Sequence, residues 1–274
     1  MTATHSSSVA PARGRWYPLA KGVPKSVQTA ASLLLAAAIW ELAGQFLIKS
    51  PILFVPFSTV IVRGYELLQT GELQHNTWIS FIEFAGGFGL ASVTGILVGA
   101  LLGSSRTLKN LFEPWVSMLY ATPVIALGPL FILWLGIGVG SKVAIIFLTS
   151  VFPILINTII GLTTTDKNLM EVGRACGASR SQLFRKVQLP GAIPFIIGGL
   201  RLGVARALVG VVVAELFGAR AGLGFMILNS TQNFDTASLY VGVLILAVAG
   251  ITCVGFLKYV EKKIAPWRLD EGDR

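Results

Sequence analysis

Residues 84–105 read FAGGFGLASVTGILVGALLGSS and residues 143–165 read VAIIFLTSVFPILINTIIGLTTT, stretches of 22 and 23 residues without a charge. Each meets the roughly 20 residues that an α-helix needs to cross a hydrocarbon core. Pro114–Ser141, with 28 residues, and Thr236–Leu257, with 22, are equally free of charge. None alternates as a barrel strand does, and in lipid an open strand would leave its amides and carbonyls unsatisfied. Composition agrees: 54% hydrophobic against 13% charged is too little charge for a soluble chain of 274 residues. The expected fold is all-α, a polytopic transmembrane bundle of about six spans, near 27–48, 80–103, 114–134, 142–162, 195–217 and 237–258.

This places a membrane domain at 27–260, between a Ser/Ala/Pro/Arg-rich tail over 1–26, expected to be disordered, and a short tail over 261–274. The first apolar segment exceeds a signal-peptide core of about 7–15 residues and reads as a retained span.

The formal charge of +9 is distributed unevenly. With the N-terminus in the cytoplasm, that side receives Arg13, Arg15, Lys21, Lys25, Arg106, Lys109, Lys167, Arg174, Arg180, Arg185, Lys186, Lys258, Lys262, Lys263, Arg268 and Arg274. The opposite side receives Lys49, Arg63, Lys142 and Arg220. Such a bias orients both termini and the 163–194 loop inward. It speaks for contact with an anionic bilayer surface, not with nucleic acid. Two cysteines, Cys176 and Cys253, and two histidines, His5 and His75, offer neither a disulfide framework nor a metal site.

Small residues recur at every fourth position in the second span, at Gly87, Ala91, Gly95, Gly99 and Gly103, and again at Gly199, Gly203 and Ala207 in the fifth. Such stripes let helix backbones approach closely in lipid. Pro123 and Pro129 are expected to kink the third span, and a bent helix can border a solute path. Residues 136–142, GIGVGSK, lack the order and the strand–loop–helix setting of a phosphate loop, and no Walker A pattern occurs elsewhere. Outside the membrane, Ser58 should cap a helix running to Leu68 with Val60, Ile61, Tyr65 and Leu68 on one face, broken by Gly71-Glu72.

The polar loop over 163–194 reads as two short helices around a turn. Asp166 should cap the first, near 167–176, and Gly177 should end it in a positive-φ conformation. Ser179 with Gln182 three residues on forms a capping box for the second. Leu183, Phe184 and Val187 give that helix an apolar face, and Leu189-Pro190 is expected to end it. A helix–turn–helix of this kind suits docking to a partner.

Glu171, Gly177, Val187, Leu189 and Pro190 stand at the spacing of the coupling-loop motif of ABC importer permeases, which the chain resembles; Ala178, Ser179, Leu183 and Phe184 fall within the same loop. Val172 and Gly173 depart from the usual alanines, and Gly173 should loosen its helix by about 1 kcal/mol. The resemblance spans roughly residues 50–268. Tyr120-Ala-Thr-Pro123, Ile125-Ala-Leu-Gly-Pro129, Trp134-Leu-Gly-Ile-Gly138, Gly199-Leu-Arg201-Leu-Gly203, Val213-Ala-Glu215, Gly222-Leu-Gly224 and Pro266-Trp267 are similar to the nitrate/sulfonate/taurine subclass. It implies a type I importer permease fold in the cell inner membrane, a second permease chain in a homodimer, two ATPase subunits that hold the ATP and Mg, and an extracytoplasmic solute-binding protein. No cofactor is then expected in this chain, and its solute, a nitrate-, sulfonate- or taurine-like anion or a vitamin precursor, would move by alternating access.

Ionisable residues inside spans are functional candidates by default. Arg201 can snorkel to the cytoplasmic surface, whereas Arg206 lies deeper and suits an anion in a path or a carboxylate on a neighbouring helix. Glu215 joins Pro123, Pro129 and Arg206 as a path candidate; Glu41 and Glu83 receive no role. An ion-coupled secondary transporter is the alternative, but it would want carboxylates at the midplane, which the central parts of spans two, three, four and six lack.

Overall fold

The computed structural model describes residues 24–47 and 50–265. The tail expected over 1–26 falls almost wholly outside them, as does the chain beyond residue 265. Among the described residues all regular structure is helical. The helices are α1 (Lys25–Leu42), α2 (Phe57–Gln69), α3 (Glu72–Ser104), α4 (Arg106–Ala121), α5 (Gly128–Leu135), α6 (Val139–Thr163), α7 (Lys167–Ala175), α8 (Arg180–Leu183), α9 (Leu189–Leu216), α10 (Leu223–Gln232) and α11 (Thr236–Ile264). Five helical units are long and apolar enough to cross a membrane, and α4 with α5 makes a sixth as a pair bent by 77°.

The bend has its cause in the prolines. The chain leaves the helix at Thr122, Pro123 contributes no amide, and a 3₁₀ turn over Val124–Leu127 leads into α5 in its new direction. Pro129 instead occupies the first turn of α5, where its missing N–H costs nothing. Of the two expected kinks, Pro123 makes the break and Pro129 starts the next helix.

The centre is α6, gripped by α3 on one side and α9 on the other. Gly87 sits against Ile146, Gly95 against Ile154, Gly99 against Thr158 and Gly103 against Leu162, a constant offset along two parallel helices. A side chain at Gly99 would put its Cβ 2.7 Å from Thr158 Cβ. On the other flank Gly199 meets Asn157, Gly203 meets Ile154, and Gly210 approaches Ile146 and Thr149. Both stripes of small residues therefore serve packing within the bundle. In lipid, where burying apolar surface brings no gain, this close approach is what holds helices together.

At the end of the bundle where α3 and α11 begin, Val55, Val60, Leu67, Leu73, Leu223, Met226 and Val241 form one cluster joining α2, α3, α10 and α11. Trp40 of α1 packs beside Phe54, Phe57 and Tyr240 and donates to the carbonyl of Val55 at 3.0 Å. Below that anchor α1 stands clear of the bundle, its span 0% buried.

Three expectations need correction. The face that α2 buries carries Val60 and Leu67, while Ile61, Tyr65 and Leu68 stay exposed, because the core lies on the Gly64 side, where Val241 of α11 packs. Ser58 does not cap its own helix; its amide and hydroxyl both donate to Glu41, each at 2.8 Å, so a residue given no role ties α1 to α2. Leu189-Pro190 does not end the second loop helix either. A widened π turn over Phe184–Gln188 precedes Pro190, which sits in the first turn of α9, and one helical unit runs Arg180–Leu216. The widened turn relieves the clash between the proline ring and the preceding turn.

Candidate functional site

The 163–194 loop is organised by bonds between near neighbours in sequence. Asp166 accepts from the Asn168 amide at 2.8 Å and starts α7. Gly177 takes φ +73°, its amide bonding to the Arg174 carbonyl and that of Ala178 to the Gly173 carbonyl, the paired bonds of a Schellman stop. Ser179 Oγ then accepts from the Gln182 amide, while Gln182 Oε1 accepts from the Ser179 amide, closing the capping box of α8. Helix, turn and helix are specified by short-range partners, so the shape of the module is set within the loop itself.

Its apolar side differs from expectation. Leu183 is buried, and Phe184 and Val187 are half-buried, turned toward the protein. Gly173 is the reason Leu183 can enter: a Cβ there would lie 2.5 Å from Leu183 Cδ2. The departure from alanine at 173 thus exchanges helix propensity for close contact between α7 and α8. Exposed apolar side chains remain on α7, where Leu169 and Val172 flank the exposed Glu171. Behind α7, Arg106 and Lys109 at the start of α4 and Arg174 border a cleft of about 600 Å³.

The path candidates do not come together with the loop. Pro123 and Pro129 are exposed at the α4–α5 bend, and Gly128 beside them receives the ring of Phe217, a Cβ there being 2.8 Å from it. Arg206 is exposed on the face of α9 that also exposes Leu202 and Val209, opposite the small residues that meet α6. Arg201, expected to snorkel, is paired instead with Glu261 near the end of α11. Glu215 is fully buried, and both its oxygens are taken: Oε1 by the Ser80 hydroxyl and Oε2 by the Gly224 amide, each at 2.5 Å.

Sequence reasoning missed the partners of Glu215. Lys142, assigned by charge counting to an outer loop, enters the bundle and pairs with Glu83 at 2.9 Å, both side chains buried. The one available signal is positional: Glu83 precedes the α3 stripe by one step of four, and Lys142 precedes Ile146 on α6 in the same way. The pair continues the offset that the glycines set.

Residues 91–266 match the family described as the binding-protein-dependent transport system inner membrane component. A Bacillus subtilis protein named for aliphatic sulfonates transport, SsuC, is 37% identical over 231 residues, covering 84% of each chain. The formylaminopyrimidine transport permease ThiX of Halalkalibacterium halodurans is 31% identical over 236 residues, 86% of this chain and 93% of that one. Among solved structures, an inward-facing MetNI methionine ABC transporter chain superposes with a TM-score of 0.60 at 19% identity, covering 74% of this chain and 98% of its own. The glycine-clasped bundle, the self-capped loop and these matches lead to one assignment: the chain belongs to the binding-protein-dependent inner membrane component family, the permeases of ABC importers.

Proposed function

We propose that this chain forms the membrane half of an ATP-driven importer for a small organic anion, with sulfonates as the leading class. It works as a homodimer, with two ATPase subunits on the cytoplasmic face and a binding protein outside. Its termini face the cytoplasm, as the bias of basic residues toward the 163–194 side supports. The observation that carries the reading is the α7–Gly177–α8 module, rigid by its own caps and presenting Leu169, Glu171 and Val172 outward. ATP binding draws the ATPases together, and a stiff docked module passes that movement into α9, with which it is continuous. Differential contact with the ATPase in its two states biases the spans between inward- and outward-open forms.

Arg206 supports the anionic class. A guanidinium on an exposed helix face within a span requires a polar neighbour, and a path carrying a sulfonate supplies one.

Gly177→Val tests the coupling role. A Cβ at 177 meets nothing within 4 Å, so the substitution adds only left-handed backbone strain of about 1–2 kcal/mol. In proteoliposomes with the partner ATPase, the variant should hydrolyse ATP yet lose most uptake. Uptake equal to wild type would remove the loop from the coupling path.

A further inference from the structure

At the outer end of the bundle, α3, α6, α9 and α10 meet around three ionisable side chains. Glu83 and Glu215 are each 0% exposed and Lys142 is 7% exposed. Two carboxyl groups therefore share one ammonium in a place that water does not reach.

The hydrogen-bond inventory differs between the carboxyls. Glu215 accepts through both oxygens, from Ser80 and from Gly224. Ser80 also accepts from the Leu223 amide at 2.8 Å. Asn76 Oδ1 takes the Gly222 amide at 2.8 Å, so three consecutive amides at the start of α10 are held by α3 and α9. The Ser80 hydroxyl keeps a second lone pair, so its contact with Glu215 serves either protonation state of that carboxyl.

Glu83 pairs with Lys142, Nζ lying 2.9 Å from Oε1, yet neither of its oxygens accepts a well-directed hydrogen bond among the described residues. Its carboxyl lies within hydrogen-bonding reach of that of Glu215. Two ionised carboxylates so placed would repel across a medium with little screening, and one anionic oxygen would be left without a donor.

We propose that Glu83 and Glu215 hold one proton between them, so that with Lys142 they form a cluster of zero net charge. The proton bridges the two carboxyls while Lys142 stays paired with Glu83. The shared proton joins the α3–α6 ion pair to the α9–α10 corner, holding three spans and α10 together on the side where solute enters.

The test is infrared spectroscopy of the full-length permease at neutral pH in H₂O and D₂O, together with thermal unfolding. The wild type should show a protonated-carboxyl C=O band that shifts on deuteration and is lost in Glu83→Gln. Glu83→Gln should fold with a Tm near wild type, because its amide accepts from Lys142 and donates to Glu215 as the acid does. Glu215→Gln should lose the band as well, because the one remaining carboxyl ionises against Lys142. No protonated-carboxyl band in the wild type, or its persistence in Glu83→Gln or in Glu215→Gln, would overturn the proposal. The readout does not depend on which solute is carried, so its failure leaves the transport reading in place.

Discussion

Helices α6 and α11 share a mean hydropathy of 2.4 over their most apolar windows, yet 56% of the α6 window is buried and only 11% of the α11 window. Hydropathy cannot separate them because lipid is as apolar as a protein interior, and a leucine facing either is equally content. What separates them is their partners. Helix α6 meets glycines and alanines of α3 and α9 along most of its length, so backbones come close on two sides. Helix α11 is held mainly at its ends, by Asp235 with Arg63 at its start and by Glu261 with Arg201 at its close, and exposes Val248, Ile251 and Phe256 between them. Apolarity places a helix in the membrane; small residues on its neighbours place it in the middle of the protein.

The strongest way to break this comparison is to exchange side-chain bulk between the two regions. Gly99→Ile forces a side chain against Thr158 and the Leu155 carbonyl and should destabilise the permease by about 3 kcal/mol or prevent folding. Ile251→Ala, on a side chain 73% exposed, should change stability by less than about 0.5 kcal/mol. Thermal unfolding in detergent reads both, and equal effects would mean that the α3–α6 contact is not the support of the fold.

Helix α9 has both characters, a clasped face toward α6 and an open face carrying Arg206. Arg206→Ala should leave assembly with the ATPase intact and depress uptake of a sulfonate by about tenfold or more, the loss expected for one charge-assisted contact. Arg206→Lys should restore only part, since an ammonium lacks the planar fork. Loss of complex yield in the Ala variant would instead assign Arg206 to a structural ion pair.

The smallest effect belongs to the strap at the start of α11. Burial opposes ionisation of Asp235, but the Ser238 hydroxyl and amide and the Arg63 guanidinium outweigh it and hold the carboxyl below its ordinary value of 3.8. A lowered folded value means that this contribution is complete above the ordinary value and fades as pH falls through the lower one. Tm should therefore be insensitive to the strap from neutral pH down to about 4 and decline below it. Asp235→Asn should start lower, by about 1 kcal/mol or less, and lack that acid-dependent step. An identical acid profile in the variant would show that the strap adds nothing to the hold on α11.

Much of this was readable in the chain because it is local or periodic. A run of some 20 apolar residues must become a helix in lipid wherever it sits, and a Ser-x-x-Gln pair or a glycine after a short helix closes its bonds within four residues. Hence the spans, the Gly177 stop and the Ser179–Gln182 box follow from sequence. The stripes also announced close packing, though not that both would grip one helix. Only the tertiary structure decided which way Leu183, Phe184 and Val187 turn, that Glu41 reaches Ser58, and that Glu83 meets Lys142 and Glu215. These depend on groups far apart in the chain, each of which reads alone as a charge at the edge of a span. Burial gives them partners, and burial is a property of the packed bundle, set by which small residues let which backbones meet.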